Sequence, residues 1–351
     1  MANPERVELV RQRLGLTKIG FVELLGIDRK RYQRFLAGAD FPNEALEALC
    51  NRSGYSPAFF EKPAVQYPNA EAVSFRSLRS LTSGPRDAAI AASALAFEID
   101  DWVSERYGLP EHDLPQITDC PPAEAAALLR ARWGLGIRPI KNLINQLELH
   151  GVRVFSLVEE TRHLDAYSFW RNDKPYVFLN TLKTAEHSRF DAAHELGHLV
   201  MHRRPTAPRD AEREADAFAS AFLMPPADLA AEIPYVRSLR TLIEKKARWG
   251  VSVAALNYSL HKLGRVSDWN YRSFCIELSK LGRQNEPDPM PRETSQIWQK
   301  VLTDLWKKGL SLSRIAKHLE IPEREINSLL FGIAASPVPP NPSQGSLRTI
   351  E

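Results

Sequence analysis

Between residues 5 and 60, apolar residues recur at helical spacing in four short blocks: ERVELVRQRLG, TKIGFVELLG, DRKRYQRFLAG and NEALEALCNRSG. Each block ends in glycine, a common helix stop. The second and third begin at Thr17 and Asp28, whose side chains suit a helix N-cap. The next stretch, EKPAVQYPNAEAVSFRSLRSLTSG, is rich in Pro and Ser and predicts a linker. From Pro85 a long apolar helix is predicted through RDAAIAASALAFEIDDWVSERYG, followed by two more in PPAEAAALLRARWG and IKNLINQLELHG. The period then shortens. VRVFSL, LDAYSFW and PYVFLN are β-branched and aromatic, RNDK lies between the last two as a turn, and a small sheet of about three strands is expected. After Asn180 helical patterning returns almost to the end.

This pattern divides the chain into a helix-turn-helix unit (1–61), a linker (62–84), an α+β domain (85–265) and a helical C-terminal domain (266–333). A Pro/Ser tail (334–351) is expected to be disordered. The fold class is mainly α and multidomain. At 351 residues the chain is longer than one core usually organises, in keeping with that division.

Composition changes this picture little. With 44% hydrophobic and 25% charged residues the chain is an ordinary globular protein, and a net charge of +3 is too small to argue for nucleic acid by itself. Cys50, Cys120 and Cys275 are far apart, with no CxxC spacing, and fit reduced thiols. No apolar run is long enough to cross a bilayer, and the start, MANPERVELVRQRLG, has no hydrophobic segment behind a basic one. These features predict a cytoplasmic protein with no membrane partner.

Local clustering is more informative. Residues 17–38 have the outline of a helix-turn-helix, with Gly26 in the turn and Ile27 as an apolar plug between the helices. The second helix carries Arg29, Lys30, Arg31, Gln33 and Arg34 in its first two turns. These residue types reach phosphates and base edges in the major groove, so double-stranded DNA is the expected partner; the plainer alternative is a solvated basic helix in a protein-binding module. A similar outline at 311–332 begins its second helix with Glu323, Arg324 and Glu325. Acidic residues there would repel phosphate, so this unit is expected to pack or to contact protein.

The stretch FDAAHELGHLVMH, residues 190–202, holds three histidines and a glutamate. On a helix, His194 and His198 share a face with Asp191, Glu195 and His202, while Phe190, Ala193, Gly197, Val200 and Met201 form an apolar back. HExxH places two neutral imidazoles on one Zn²⁺ and a glutamate, Glu195, beside the first, where it can take a proton from a water polarised by the ion. Chance alone produces the motif in roughly 1% of chains this long, so a third ligand must be sought downstream. In RDAEREADAFASAFLMPP the apolar face is Ala211, Ala215, Phe218 and Phe222. Glu212 suits the third ligand and Asp216 suits a carboxylate that holds a ligand imidazole by its other N–H. Glu214 competes with Glu212 but points elsewhere on the wheel. The longer motif that uses a third histidine requires HExxHxxGxxH, which HELGHLVMH lacks, so His202 is expected behind the ligands. His163 and Tyr167 are candidates to donate a hydrogen bond to an oxyanion, against the plainer alternative of an exposed loop His and a packed strand Tyr.

Taken together, RFDAAHELGHLVMH, then EREADAFASAFLMP, after a small sheet ending YVFLN, resemble the ImmA/IrrE-type zinc metallopeptidases. The N-terminal GLTKIGFVELLGIDRKRYQRFLAG is similar to the XRE (Cro/CI-like) helix-turn-helix, with Lys18 where that family often has Gln. The resemblance covers most of residues 5–265. It implies a zincin-like fold, Zn²⁺ held by His194, His198 and Glu212, Glu195 as general base, and cleavage of a transcriptional repressor of phage, mobile-element or stress genes. A homodimer is a further expectation. The alternatives are a DNA-binding regulator whose metal domain senses a ligand without turnover, and a phage-defence component acting by protein contact.

Overall fold

The computed structural model describes residues 1–68, 82–157, 166–203, 208–282, 285–335 and 348–349. The middle of the expected linker, most of the Pro/Ser tail, and His163 lie outside these residues. The N-terminal blocks form α1 (Pro4–Arg13), α2 (Lys18–Leu24), α3 (Arg29–Leu36) and α4 (Asn43–Ser53), and α5 (Pro57–Glu61) follows. Thr17 accepts a hydrogen bond from the Gly20 amide and Asp28 from the Arg31 amide, so both expected caps form. Gly26, in the turn between α2 and α3, has φ +65°, a left-handed conformation that suits glycine. Tyr32 and Phe35 bury the inner face of α3 against Phe21 and Phe41.

The long apolar stretch is α6 (Ser83–Ser104), followed by a two-residue strand β1 (Tyr107–Gly108), α7 (Pro122–Arg132) and α8 (Leu143–Leu149). Strands β2 (Arg153–Leu157), β3 (Ala166–Arg171) and β4 (Lys174–Asn180) form a sheet in the order β2-β4-β3. β2 and β4 are parallel, and β3 and β4 form an antiparallel hairpin. The turn predicted at RNDK holds Asn172 and Asp173 at φ +49° and +59°, the twist that a two-residue hairpin turn demands. A second pairing joins β1 to β5 (Arg348–Thr349).

Both faces of the three-stranded sheet are buried, which is why its strands are apolar almost throughout. Phe155, Tyr167, Phe169, Tyr176 and Phe178 join one hydrophobic core; Val154, Ala166, Val177 and Leu179 join the other. The second core contains α7, α8 and the helices that follow the sheet: α9 (Ala185–Met201), α10 (Pro208–Leu223), α11 (Pro226–Glu232), α12 (Leu239–Lys245), α13 (Val253–Lys262) and α14 (Asp268–Leu281). The first core contains the N-terminal helices, α6 and the last three helices, α15 (Gln296–Lys307), α16 (Leu312–Leu319) and α17 (Glu323–Leu329). Mainly helical architecture with one small three-stranded sheet is therefore the observed fold. None of its helices is long and apolar enough, among the described residues, to cross a membrane. All three cysteines are free thiols.

The C-terminal helices pack onto the N-terminal ones. Arg13 pairs with Glu325 at 2.8 Å, Lys62 donates to the Leu319 carbonyl at 2.5 Å, and Arg324 donates to the Ser53 carbonyl. The acidic start of α17 is thus spent on an arginine of α1. Where α15 begins, the buried Glu148 carboxylate accepts from the Gln296 amide at 2.8 Å, the Ile297 amide at 3.1 Å and the Ser295 hydroxyl. Three donors at a buried helix start have one acceptor group between them. Glu148→Ala is expected to lower stability by about 1–3 kcal/mol, the cost of leaving buried donors unpaired. The measurement is the denaturant midpoint, with an unchanged slope showing that folded and unfolded states keep their compactness.

Candidate metal centre

Helix α9 starts at Thr184, whose hydroxyl accepts from the His187 amide, and runs seventeen residues beneath the sheet. The sequence suggests one apolar and one polar face. In the fold the helix is covered almost all round: Ala193, Gly197, Val200 and Met201 are buried as expected, but so are Glu195 and His198. β3 covers one flank and α10 the other.

The approach of α10 is set at Gly197. A Cβ there would sit 3.1 Å from the Phe218 ring and 3.3 Å from the Ala215 Cα, so only glycine lets the two helices come this close without displacement. The apolar face expected for α10, Ala211, Ala215, Phe218 and Phe222, is buried at this crossing. Glu212 is thereby carried to the two imidazoles. His194 Nε2 and His198 Nε2 are 3.0 Å apart; Glu212 Oε2 is 3.5 Å from the first and Oε1 is 3.6 Å from the second. Four donors placed tetrahedrally about 2.0–2.2 Å from a zinc ion are about 3.3–3.6 Å from one another. The triangle matches that spacing, and two ring nitrogens with a carboxylate are the donor types zinc prefers, so these three residues fit the ion.

The other ring nitrogens are engaged behind the triangle. His194 Nδ1 is 2.9 Å from Asp216 Oδ1, as the sequence suggested for that carboxylate. His198 Nδ1 is 3.0 Å from His202 Nδ1, and His202 Nε2 is 3.0 Å from Glu214 Oε2. Glu214 is therefore turned to His202 and away from the triangle.

The Glu195 carboxylate is buried next to His194 and accepts from the Ser168 hydroxyl at 2.6 Å. Burial pushes its carboxyl up to about 7, against the His194 charge and the Ser168 bond, with Glu212 adding to the rise. Asp191 is likewise pushed up to about 7 by burial, which Lys183 and His194 oppose. Burial works against an imidazolium at His194, yet Asp216, Glu212 and Glu195 outweigh it and hold the ring at about 10. His198 goes the other way, well below the usual imidazole range, because of burial and the two neighbouring histidines. Four carboxylates, Asp191, Glu195, Glu212 and Asp216, act on His194 or its neighbours and favour positive charge between the rings.

Ser168 carries no signal in the sequence; only strand register turns it towards α9. The same register places Tyr167 on the opposite face of the sheet, fully buried, its hydroxyl donating to the Ala89 carbonyl at 2.8 Å and lying 2.9 Å from Ser93 Oγ. Tyr167 is thus not available to an oxyanion at the imidazoles: alternate strand residues point to opposite sides, and this one belongs to the first core. Arg29, Lys30, Arg31, Gln33 and Arg34 are all exposed on the outer face of α3.

No curated protein matches the chain. Residues 147–261, from the end of α8 to α13 and including every member of the triangle, match the family model Peptidase_M78, the IrrE N-terminal-like domain, so this stretch is supported as a metallopeptidase-type domain of the ImmA/IrrE kind.

Proposed function

We propose that the chain is a zinc-dependent endopeptidase whose N-terminal helix-turn-helix brings it to double-stranded DNA, and that its substrate is a transcriptional repressor. One observation carries the enzymatic part: a two-histidine, one-glutamate triangle with a buried carboxylate, Glu195, beside it. A zinc site that serves structure alone needs no base and normally closes its fourth position with a protein ligand. His194, His198 and Glu212 would hold the ion, which when bound polarises a carbonyl and acidifies water. Glu195 takes the proton of the attacking water and returns it to the leaving nitrogen. Ser168 fixes the orientation of the Glu195 carboxylate for both transfers. Among the described residues β3 pairs with β4 along one edge only, so an extended peptide added along its other edge would pass Ser168 and the imidazoles. Incubating the zinc-loaded chain with a proteome-derived peptide library tests this reading. New termini that appear in the library and vanish with a chelator support it, and an intact library refutes it.

The DNA part rests on five exposed side chains of DNA-binding type on one helix, whose opposite face is anchored by Tyr32 and Phe35. Arg31→Ala and Arg34→Ala are each expected to weaken binding to duplex DNA. Each should also reduce the slope of log affinity against log salt by about 1, if it contacts one phosphate. Fluorescence anisotropy over a salt series reads both quantities, and unchanged slopes would assign the basic helix to another partner. A DNA-bound repressor is the substrate class that this arrangement reaches most directly, because the same chain carries the peptidase to the DNA its target occupies.

A further inference from the structure

A cleft of about 1240 Å³ opens beside the metal helix, between the end of β4, the first turns of α9, the start of α13 and the end of α14. Pockets for small molecules occupy about 300–1,000 Å³. This one exceeds that range and suits a stretch of polypeptide. Two of its residues tie it to the triangle. His187 lies two helical turns before His194 and about 20° from it round α9, and Phe190 lies one turn before. The cleft thus runs on from the imidazoles along one side of the helix.

Its walls show what it takes. The charged residues that line it are already engaged within the fold: Lys246 Nζ lies 2.7 Å from Glu186 Oε1 and 3.2 Å from Glu286 Oε1, and Lys183 Nζ lies 3.4 Å from His187 Nε2. Apolar surface is what remains for a ligand. Phe190, Ala254, Ala255 and Leu278 line the cleft, and Leu182 lines it while 56% exposed. A large apolar side chain gains most from covering such a surface.

The sheet sets the direction of approach. Ser168, which donates to Glu195 at 2.6 Å, marks the level of the imidazoles on β3. Ala166 pairs with Leu179 near the end of β4, and the next residue, Asn180, accepts from Ser188 Oγ at 2.9 Å. The first turns of α9, and the cleft with them, therefore lie towards the Ala166 end of β3. A peptide added to the outer edge of β3 pairs better antiparallel than parallel. It then runs from Arg171 towards Ala166 and brings to the cleft the residues that follow the scissile bond.

The geometry points to this cleft as a specificity site for a large apolar residue (Phe, Leu or Met) among the first three positions after the cut. Three extended residues span about 10 Å, the axial distance from His194 back to His187. The assignment rests on the peptidase reading above.

The experiment runs the zinc-loaded full chain and two variants, Ala254→Trp and Ser279→Trp, against the peptide library. Both positions are exposed and lie on different helices, so a tryptophan there narrows the cleft without entering a core. Wild type is expected to enrich Phe, Leu or Met at one of the three positions after the cut. For the best peptide found, kcat/KM should exceed that of its alanine counterpart at that position by at least about tenfold. In each tryptophan variant this ratio should fall towards 1 while the residues preferred before the cut stay the same, a pattern that a general loss of activity would not produce. An apolar preference confined to positions before the cut, no preference after it, or a ratio that both variants leave intact overturns the assignment. Binding is read without catalysis through Cys275, a free thiol that lines the cleft. Millimolar acetyl-Phe-Leu-Met amide should slow its alkylation by N-ethylmaleimide but not that of Cys50 or Cys120, and acetyl-trialanine amide should slow none of them. If the wild-type chain cuts no peptide, the peptidase reading fails. Protection of Cys275 then still supports the cleft as a site for apolar peptide, and equal rates with both peptides overturn that as well.

Discussion

Glu195→Gln is expected to lower peptide cleavage by about two to four orders of magnitude while zinc still binds one ion per chain. That range is what a positioned general base contributes. The amide keeps the shape of the side chain and still accepts from the Ser168 hydroxyl, but it cannot take a proton from water. Folding should not suffer, because burial already disfavours charge at this position and pushes the carboxyl up to about 7. Cleavage of the peptide library and metal content after dialysis are the two measurements. Normal cleavage would exclude Glu195 as the base, and lost zinc would place it among the ligands. The same variant, holding substrate without cutting it, is the tool for capturing the proposed repressor substrate from cell extract.

A comparable loss is expected from a residue that touches no metal at all. Gly197→Leu should abolish high-affinity zinc binding and cost about 1–3 kcal/mol of stability, the usual range for overpacking a filled core. The first added carbon meets the buried Phe218 ring at 3.1 Å and the Ala215 backbone at 3.3 Å, and a leucine adds three more. Neither α9 nor α10 can yield without moving Glu212 off the imidazoles. Gly197→Ala is the graded control and should fall between wild type and leucine. Zinc competition and thermal unfolding read the two effects separately. Wild-type affinity in the leucine variant would mean that Glu212 is positioned by something other than this crossing.

Much of this molecule was legible from one-dimensional patterning. The α2–α3 hairpin was visible because Thr17, Gly26 and Asp28 act locally, through caps and a left-handed turn. The metal triangle was visible because its first two members obey the helical repeat and Glu212 lies on the next helix. What stayed hidden depends on register and on distant contacts. Tyr167 and Ser168 are neighbours on one strand, and nothing in the sequence says which of them faces α9. A sheet covered on both sides erases the polar alternation that would have told them apart. Glu214 was judged by its place on the wheel of its own helix, whereas its partner, His202, sits at the end of another. Short elements such as α5 lack the length for a period to show, and the helical pattern after Asn180 resolves into nine separate α-helices and two short 3-10 turns among the described residues.

The first and last helices of the chain pack together around α6. Arg13, Lys62 and Ser53 are held by residues more than two hundred and fifty positions away in the chain, and the inner face of α3 shares one hydrophobic core with the sheet that flanks the triangle. A protease swung on a loose arm would sample every neighbour on the DNA. A DNA-guided protease of the kind we propose, mounted on that shared core, acts like a caliper, and a target must offer its scissile segment at the single span to which the jaws are set.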